Sequence, residues 1–384
     1  MTIVKTNKTK LFILSLSHMV NDYYMNFIQT LMPFLIAAGL SAGKAGFLVS
    51  VFTITSSLIQ PIIGYIVDVK NQKWFVYIGT LFMAVLLSLL GIMKSYPLLL
   101  IISGIAGIGT AAFHPQASAM TTEFSSVEKR NTNQAFFVTL GNIGWALTPL
   151  TVVPFVEKYG LSITPIFVIP GLIAFILLFL SLSKNNTSSS NVKKEYSPLL
   201  ITLRTSWKEL TKIMIVVALR SLTYYGMLSY LALYLKHKNV SVLLSSKLLF
   251  FMLFAGALGG LIGGMLADKY GKKLILTISL ILSSFFFLIF ILTTGMLSYI
   301  MLIIAGTMLL ASFSITTVLA QSLLSKNAAM ASGLALGFGT GIGGLGVGLF
   351  GILIDFNGIT SAILLMAIIP ILAGLISLSI KAQN

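Results

Sequence analysis

The chain has 384 residues, of which 57% are hydrophobic and 9% are charged, and its mean hydropathy is +0.99. A water-soluble domain of this length could not cover its surface with so few polar residues, so the composition excludes a soluble protein and predicts one that lipid surrounds. The formal net charge is +16, which would also suit nucleic-acid binding, and the absence of cysteine excludes disulfides, iron–sulfur clusters and thiolate zinc sites.

Apolar runs between Gly, Pro and charged residues predict twelve transmembrane helices. A helix needs about 20 apolar residues to cross a hydrocarbon core about 30 Å thick. In chain order, runs of that length lie near 11–38, 44–67, 74–93, 97–122, 131–153, 161–183, 209–235, 241–267, 273–294, 297–322, 328–353 and 359–380. The runs lack the alternation of barrel strands, so an all-α membrane protein is favoured.

The positions of the basic residues predict the orientation. If the N-terminus is cytoplasmic, the cytoplasmic loops hold most of the lysines and arginines. The opposite face then holds only Lys44, Lys94, Lys158, Lys236, Lys238 and Lys247. This distribution follows the positive-inside rule, so we expect a multi-pass protein of the inner (cytoplasmic) membrane with both termini in the cytoplasm. Because topology accounts for the charge, we expect no nucleic-acid partner.

One long polar segment divides the chain. Residues 184–208 contain a run of Asn, Thr and Ser followed by mixed charges, which is typical of a linker. We therefore predict one six-helix bundle at 1–183 and a second at 209–384.

An internal repeat supports this division. Gly64 and Asp68 after helix 2 recur 200 residues later as Gly264 and Asp268 after helix 8, and Tyr23-Tyr24 recurs as Tyr224-Tyr225. Two similar halves predict a pseudo-twofold axis along the membrane normal, with the cargo site near mid-membrane where the halves meet.

The segment after helix 8 resembles a family signature. Residues 264–273 read Gly-Met-Leu-Ala-Asp-Lys-Tyr-Gly-Lys-Lys and follow the G-x-x-x-D-(R/K)-x-G-(R/K)-(R/K) motif of the major facilitator superfamily. The resemblance implies the major facilitator fold and a gating role for both copies of the segment, although the first copy lacks the second glycine. A positive-inside loop with a turn glycine is the alternative. The gating candidates are Gly64, Asp68, Gly264, Asp268, Gly271 and Lys272.

Three further stretches resemble the fosmidomycin-resistance branch of that superfamily. They are residues 17–22 in helix 1 (Ser-His-Met-Val-Asn-Asp), 112–118 in helix 4 (Ala-Phe-His-Pro-Gln-Ala-Ser) and 330–337 in helix 11 (Met-Ala-Ser-Gly-Leu-Ala-Leu-Gly). The resemblance implies proton-coupled export of a small compound, such as an anionic phosphonate antibiotic, and hence a drug-resistance antiporter. Proteins of this kind carry different cargo, so it indicates the cargo class only weakly.

Asp22 is the candidate for proton coupling. It lies about eleven residues into helix 1, which is about 16 Å from the inner end at 1.5 Å per residue and therefore near mid-membrane. A carboxylate at this depth is costly and usually functional. His18 lies one turn away on the same face, so the two side chains can share a proton. A static pair of Asp22 with a histidine or arginine is the alternative.

Arg220 lies at a matching depth in helix 7 and is the candidate for binding an anionic cargo. A guanidinium stays charged when buried and offers a two-pronged match to phosphonate, phosphate or carboxylate. Alternatively, Arg220 neutralises Asp22 across a cavity, and both roles can alternate if cargo and carboxylate compete for it.

Other side chains are weaker candidates for contacting the cargo. His114 precedes Pro115, whose missing N–H frees a carbonyl and permits a bend in helix 4. A packed, hydrogen-bonded histidine is the alternative, and the tyrosines are equally explained as packing groups. These candidates are His114, Gln116, Tyr23, Tyr224, Asn142 and Gln321.

Glycines in two helices are expected to permit close packing or movement. Gly141 and Gly144 precede Thr148-Pro149 in helix 5, a pattern that loosely resembles the glycine–proline motif of drug–proton antiporters. Helix 11 is rich in glycine, so we expect it to bend or shift during gating.

The sequence as a whole favours a secondary transporter that rocks one half against the other and uses proton movement to drive the export of its cargo. An importer or a lipid-linked flippase of the same fold is the alternative, and a channel or membrane enzyme is less well supported. Phosphate-cradling loops, nucleophile elbows and H-E-x-x-H pairs are absent from the sequence, so we expect neither enzymatic activity nor a cofactor. Its three histidines look scattered, so no metal site is expected. The expected partners are a small-molecule substrate, protons and the lipid bilayer, with the chain acting as a monomer.

Overall fold

Long apolar runs form helices because a backbone amide in a bilayer core must find its partner within its own segment. The computed structural model describes residues 6–70, 73–126, 130–182, 199–323 and 334–381. These residues are almost entirely helical and contain no β-strand. The predicted all-α fold is confirmed.

The described part of the first half contains seven α-helices. They are α1 (Lys8–Met25), α2 (Phe27–Ala37), α3 (Ala42–Lys70), α4 (Trp74–Ser88), α5 (Tyr96–Glu123), α6 (Arg130–Tyr159) and α7 (Val168–Leu182). Short 3-10 segments at Leu90–Ile92 and Leu161–Phe167 follow α4 and precede α7.

The first crossing is interrupted, although the sequence predicts one continuous helix. α1 ends at Met25 and α2 begins at Phe27, while Asn26 donates a hydrogen bond from Nδ2 to the carbonyl oxygen of Trp145 at 3.0 Å. This bond anchors the break on α6. α1 and α2 together make the first of the twelve crossings.

The second half, over its described residues, contains six α-helices. They are α8 (Leu199–His237), α9 (Val242–Tyr270), α10 (Lys272–Leu292), α11 (Gly295–Leu323), α12 (Gly339–Asn357) and α13 (Ile359–Ser377). A π-helical turn at Leu334–Phe338 precedes α12, in the helix that was expected to bend. Such turns are rare and occur often at functional sites.

α8 differs from its prediction at its N-terminal end. It begins at Leu199, inside the segment 184–208 that was predicted to be a linker, whereas residues 183–198 lie outside the described residues. The start of helix 11, including Gly333, also lies outside them.

Each half packs its helices in the same pattern. In the first half α1 contacts α6 and α7, α5 contacts α3 and α4, and α4 contacts α7. In the second half α8 contacts α12 and α13, α11 contacts α9 and α10, and α10 contacts α13. Replacing each helix of the first half by its repeat gives the second set of contacts. The tyrosine pairs match as well, with T-shaped ring contacts at 5.5 Å for Tyr23-Tyr24 and 5.2 Å for Tyr224-Tyr225.

The outer surfaces of the helices are apolar. Eleven helices in the described part of the chain are long and apolar enough to cross a membrane, and the broken first crossing adds the twelfth. Large side chains point outward along them, among them Leu58, Ile62, Leu180, Leu261 and Leu349. Such a surface suits hydrocarbon, so the chain is a multi-pass membrane protein.

The two segments predicted to act as gates lie at equivalent helix ends. Gly264 and Asp268 lie in the last turns of α9, Gly271 caps this helix with φ +98°, and Lys272 opens α10. The positive φ explains why glycine occupies position 271. Gly64 and Asp68 lie in the last turns of α3, and residues 71–72 are outside the described range.

Candidate functional site

A buried carboxylate lies among the helices of the first half. Asp22 is on the inward face of α1 and only 8% of it is exposed. Its Oδ2 lies 3.4 Å from Nε2 of His18, one turn earlier, as the helical spacing predicts. Its Oδ1 lies 3.0 Å from Nε2 of His114, on α5. The carboxylate thus contacts one imidazole through each oxygen.

Both imidazoles are anchored at their other nitrogen. His18 Nδ1 donates to the carbonyl oxygen of Phe137 on α6 at 2.8 Å, and its ring stacks on the Phe137 ring at 3.9 Å. His114 Nδ1 donates to the carbonyl oxygen of Thr110, one turn back on α5, at 3.1 Å. These bonds fix the rings so that Nε2 is directed at Asp22. We call His18, Asp22 and His114 the triad.

The triad corrects one expectation. Among the described residues, its three members form the one group of three histidine or acidic side chains whose ligand atoms lie within 4.8 Å of one another. The expectation that the histidines are scattered is therefore wrong for two of the three. The Nε2–Oδ1 separation of 3.0 Å between His114 and Asp22 is a hydrogen-bond length, and the 3.4 Å separation from His18 is that of an ion pair.

Sequence reasoning grouped His114 with the cargo contacts and missed its contact with Asp22. The two residues lie on different helices, and helical spacing relates residues only within one helix. The packing of α5 against α1 brings them together. The His114-Pro115 pair in a transmembrane helix was the sequence signal that marked His114 as a candidate. It did not indicate that Asp22 is the partner of His114.

Small residues let α6 approach the triad closely. A Cβ atom on Gly141 would lie 2.5 Å from Asp22 Oδ2 and 2.7 Å from His18 Nδ1. A Cβ atom on Gly144, one turn later, would overlap the backbone of Met19 on α1. Gly141 and Gly144, the glycine pair of predicted helix 5, thus allow α1 and α6 to lie in contact beside Asp22.

Arg220 occupies a separate site in the second half. It is 3% exposed on α8, and its guanidinium donates to Thr316 Oγ1 at 3.2 Å and Ser221 Oγ at 3.5 Å. The guanidinium carbon lies 4.3 Å from the centroid of the Phe313 ring, so the cation rests on an aromatic face. Both hydrogen-bond partners are neutral hydroxyl groups.

A small cavity of about 30 Å³ adjoins this guanidinium. Its lining includes Tyr224, Tyr225 and Thr340, and the Tyr225 and Thr340 hydroxyls lie 3.3 Å apart. The structure therefore brings together two of the predicted cargo contacts, Arg220 and Tyr224. It also places Thr340, just after the π-helical turn, beside them.

The remaining candidates lie elsewhere. Tyr23 is half-buried on α1 and accepts a hydrogen bond from Thr151 on α6 at 3.0 Å. Gln116 is buried on α5, Asn142 is exposed on α6, and Gln321 is half-buried on α11. Their predicted cargo contacts stay predictions.

A family model and several known proteins match most of the length of this chain. The family model of the Major Facilitator Superfamily matches residues 14–345. The chain is 30% identical over 364 residues to the fosmidomycin resistance protein of Escherichia coli (strain K12), with 94% of this chain and 89% of that protein covered. It is 27% identical over 385 residues to an uncharacterized MFS-type transporter of Bacillus subtilis (strain 168), covering 94% and 90%.

Among solved structures, the chain resembles a bacterial homolog of the human lysosomal transporter Spinster, in an inward-facing and occupied conformation. The TM-score is 0.82 with 16% identity, and 96% of each chain is covered. At this identity the likeness concerns the fold alone.

The contact of Gly141 with the triad predicts a packing defect. Gly141→Ala would place a methyl group on Asp22 and His18, and overpacking of this kind costs about 1–3 kcal/mol. We expect a lower Tm for the variant in detergent micelles, measured by thermal unfolding. Gly260→Ala on α9 is the matched control, because its Cβ would meet only Leu310 O at 3.5 Å, an ordinary contact. Equal Tm values for the two variants would contradict the close approach of α6 to the triad.

Proposed function

The chain belongs to the Major Facilitator Superfamily, and from this premise we propose that it is a proton-coupled secondary transporter that exports a small compound. Transport, not catalysis, is its activity. Proton movement into the cell drives the cargo out, and the two halves rock to open the site to each side in turn.

One observation carries the proton coupling. The Asp22 carboxylate lies between two imidazoles, at 3.0 and 3.4 Å, in a part of the fold that excludes most water. Carboxylates and imidazoles are the side chains that exchange protons in pumps and transporters. Because Asp22 takes its partners from α1 and α5, proton binding changes the contact between these two helices.

The site of Arg220 supports an anionic cargo. The guanidinium is buried, its hydrogen-bond partners are neutral hydroxyls, and a cavity adjoins it. A buried cation with neutral partners favours a negatively charged ligand. A relative from Escherichia coli is named a fosmidomycin resistance protein, and we extend that cargo class, a small anionic compound such as a phosphonate antibiotic, to this chain.

The orientation and gating follow from the charges of the loops. Both termini lie in the cytoplasm, and the protein is a monomer of the inner membrane. The segments that contain Asp68 and Asp268 act as gates. Lysines beside these aspartates form contacts in one gate state and lose them in the other.

Loss of the carboxylate tests the coupling. Asp22→Asn should abolish cargo accumulation driven by an imposed pH gradient in proteoliposomes, because the neutral amide leaves no negative charge to hold the transported proton. Exchange of labelled for unlabelled cargo should persist, because it requires no net proton movement. The assay is best screened with phosphonates, sugar phosphates and cationic drugs.

Asp355→Asn is the matched control, because this carboxylate lies exposed near the end of α12, in the other half of the chain. It should transport as the unmodified chain does. Gradient-driven accumulation that survives Asp22→Asn would refute proton coupling through this residue. Countertransport that ignores the protonmotive force in the unmodified chain would favour an importer.

Replacement of Arg220 tests the cargo class. For an anionic cargo, Arg220→Lys keeps the charge and loses the fork, so we expect binding to weaken about tenfold. Arg220→Ala loses both, and we expect a loss on the order of 100-fold. Binding is measured by titration calorimetry or by displacement of a labelled phosphonate.

Lys247→Ala removes an exposed cation of the same half and should leave binding unchanged. If all three variants bound the anion as the unmodified chain does, Arg220 would have no part in anion recognition. A neutral cargo whose binding is equally reduced by Arg220→Lys would indicate a packing role for the arginine.

A further inference from the structure

The backbone contacts of the two triad histidines fix where their protons are. His18 Nδ1 lies 2.8 Å from Phe137 O, and His114 Nδ1 lies 3.1 Å from Thr110 O. A carbonyl oxygen only accepts hydrogen bonds, so both Nδ1 atoms carry hydrogen. A neutral imidazole has one N–H, and in both rings it is therefore used on the backbone. Each Nε2 is then left as a bare acceptor.

These two Nε2 atoms face a group that also only accepts. Nε2 of His114 lies 3.0 Å from Asp22 Oδ1, and Nε2 of His18 lies 3.4 Å from Asp22 Oδ2. If the carboxylate is ionised and both rings are neutral, each contact opposes two lone pairs inside the protein. Such unsatisfied contacts between buried acceptors are expensive. The observed geometry therefore requires at least one additional proton.

The possible charge states follow from counting protons. With no additional proton the triad carries a charge of −1, with one it is neutral, and with two it carries +1. One proton converts one contact into a hydrogen bond, and two protons convert both. The imidazole nitrogen is the stronger base of each pair, so we place these protons on Nε2, where they form N–H···O hydrogen bonds to Asp22.

We infer that the triad keeps one proton permanently and exchanges a second, so that its charge alternates between 0 and +1. The resident proton lies between Asp22 and His114, where the separation is shorter, and the exchanged proton lies between Asp22 and His18. Uptake forms one N–H bond at Nε2 and adds one positive charge, and release reverses both. The inference rests on the proposed proton coupling and assigns His114 a role in holding the resident proton.

The other titratable groups on the neighbouring helices are engaged elsewhere or lie near helix ends. On α1 itself, Lys8 and Lys10 lie in the first turn, the Tyr24 hydroxyl donates to Phe167 O, and the Tyr23 hydroxyl accepts from Thr151. The helices packed against α1 or α5 are α2, α3, α4, α6 and α7. Lys44 is exposed at the start of α3, and α2 and α7 contain no titratable side chain. On the others, the described titratable groups besides His114 are Tyr77, Tyr96, Glu123, Glu157, Lys158 and Tyr159. The ion-pair contacts of the triad among described residues join its own members.

Nitrogen NMR of histidine tests the proton count directly. The chain has three histidines, and His237→Gln removes the exposed one at the end of α8, so that ¹⁵N-histidine labelling reports on the triad alone. We expect both Nδ1 atoms to be protonated at every pH at which the protein is folded. One Nε2 proton should be shared at the alkaline end of this range. Acidification should add a second Nε2 signal and yield two imidazolium rings.

Asp22→Asn in the same background should remove the resident Nε2 proton near neutral pH while both Nδ1–H groups remain. A neutral ring protonated at Nε2 with a bare Nδ1, or two bare Nε2 atoms in the folded unmodified triad, would overturn the inference. So would a resident Nε2 proton that survives Asp22→Asn. These spectra require no cargo, so transport that ignores a pH gradient would refute the proposed coupling while leaving the proton count intact.

Discussion

The structure depends on the satisfaction of polar groups where water is scarce. A carboxylate inside a membrane protein needs partners from the protein itself, and Asp22 finds one imidazole for each oxygen. The imidazoles in turn depend on carbonyl oxygens of α5 and α6. The contacts of Asp22, the orientation of the two rings and the packing of the helices therefore depend on one another, and α1 cannot move away from α5 or α6 without breaking a contact of the triad.

The second half meets the same constraint with different chemistry. The Arg220 guanidinium cannot lose its charge in the way that a carboxylate can, and it relies on two hydroxyls and an aromatic face. This is a modest set of partners for a buried cation. The adjoining cavity has room for about one water molecule, and Thr340 beside the π-helical turn is part of its lining.

The sequence predicted the fold well because its main signals are local. Apolar length and loop charge gave twelve crossings and two halves, and the repeated residues at 64, 68, 264 and 268 identified equivalent helix ends. The break at Asn26 was missed because the residue that stabilises it is Trp145 on another helix. The start of α8 at Leu199 was missed because its first turns include Arg204 and Lys208, and hydropathy detects only the part of a helix that meets lipid.

The candidate site was predicted only in part for a similar reason. The contact of Asp22 with His18 follows from helical spacing, whereas the contact with His114 follows from packing between helices that are distant in sequence. The role of Gly141 was likewise invisible until α6 was seen beside Asp22. Depth in the membrane thus identified the important side chains, and tertiary structure identified their partners.

The shared packing pattern of the halves contrasts with the difference in their charges. When the tyrosine pairs of α1 and α8 are aligned, Thr223 occupies the position of Asp22, Leu219 that of His18, and Met19 that of Arg220. The scaffold is duplicated and its ionisable chemistry is not. A chain assembled from two copies of the first half would contain two acidic centres and no buried guanidinium of this kind, and one assembled from two copies of the second would have the reverse. The two halves therefore share a packing pattern, and at these aligned positions each contains an ionisable centre that the other lacks.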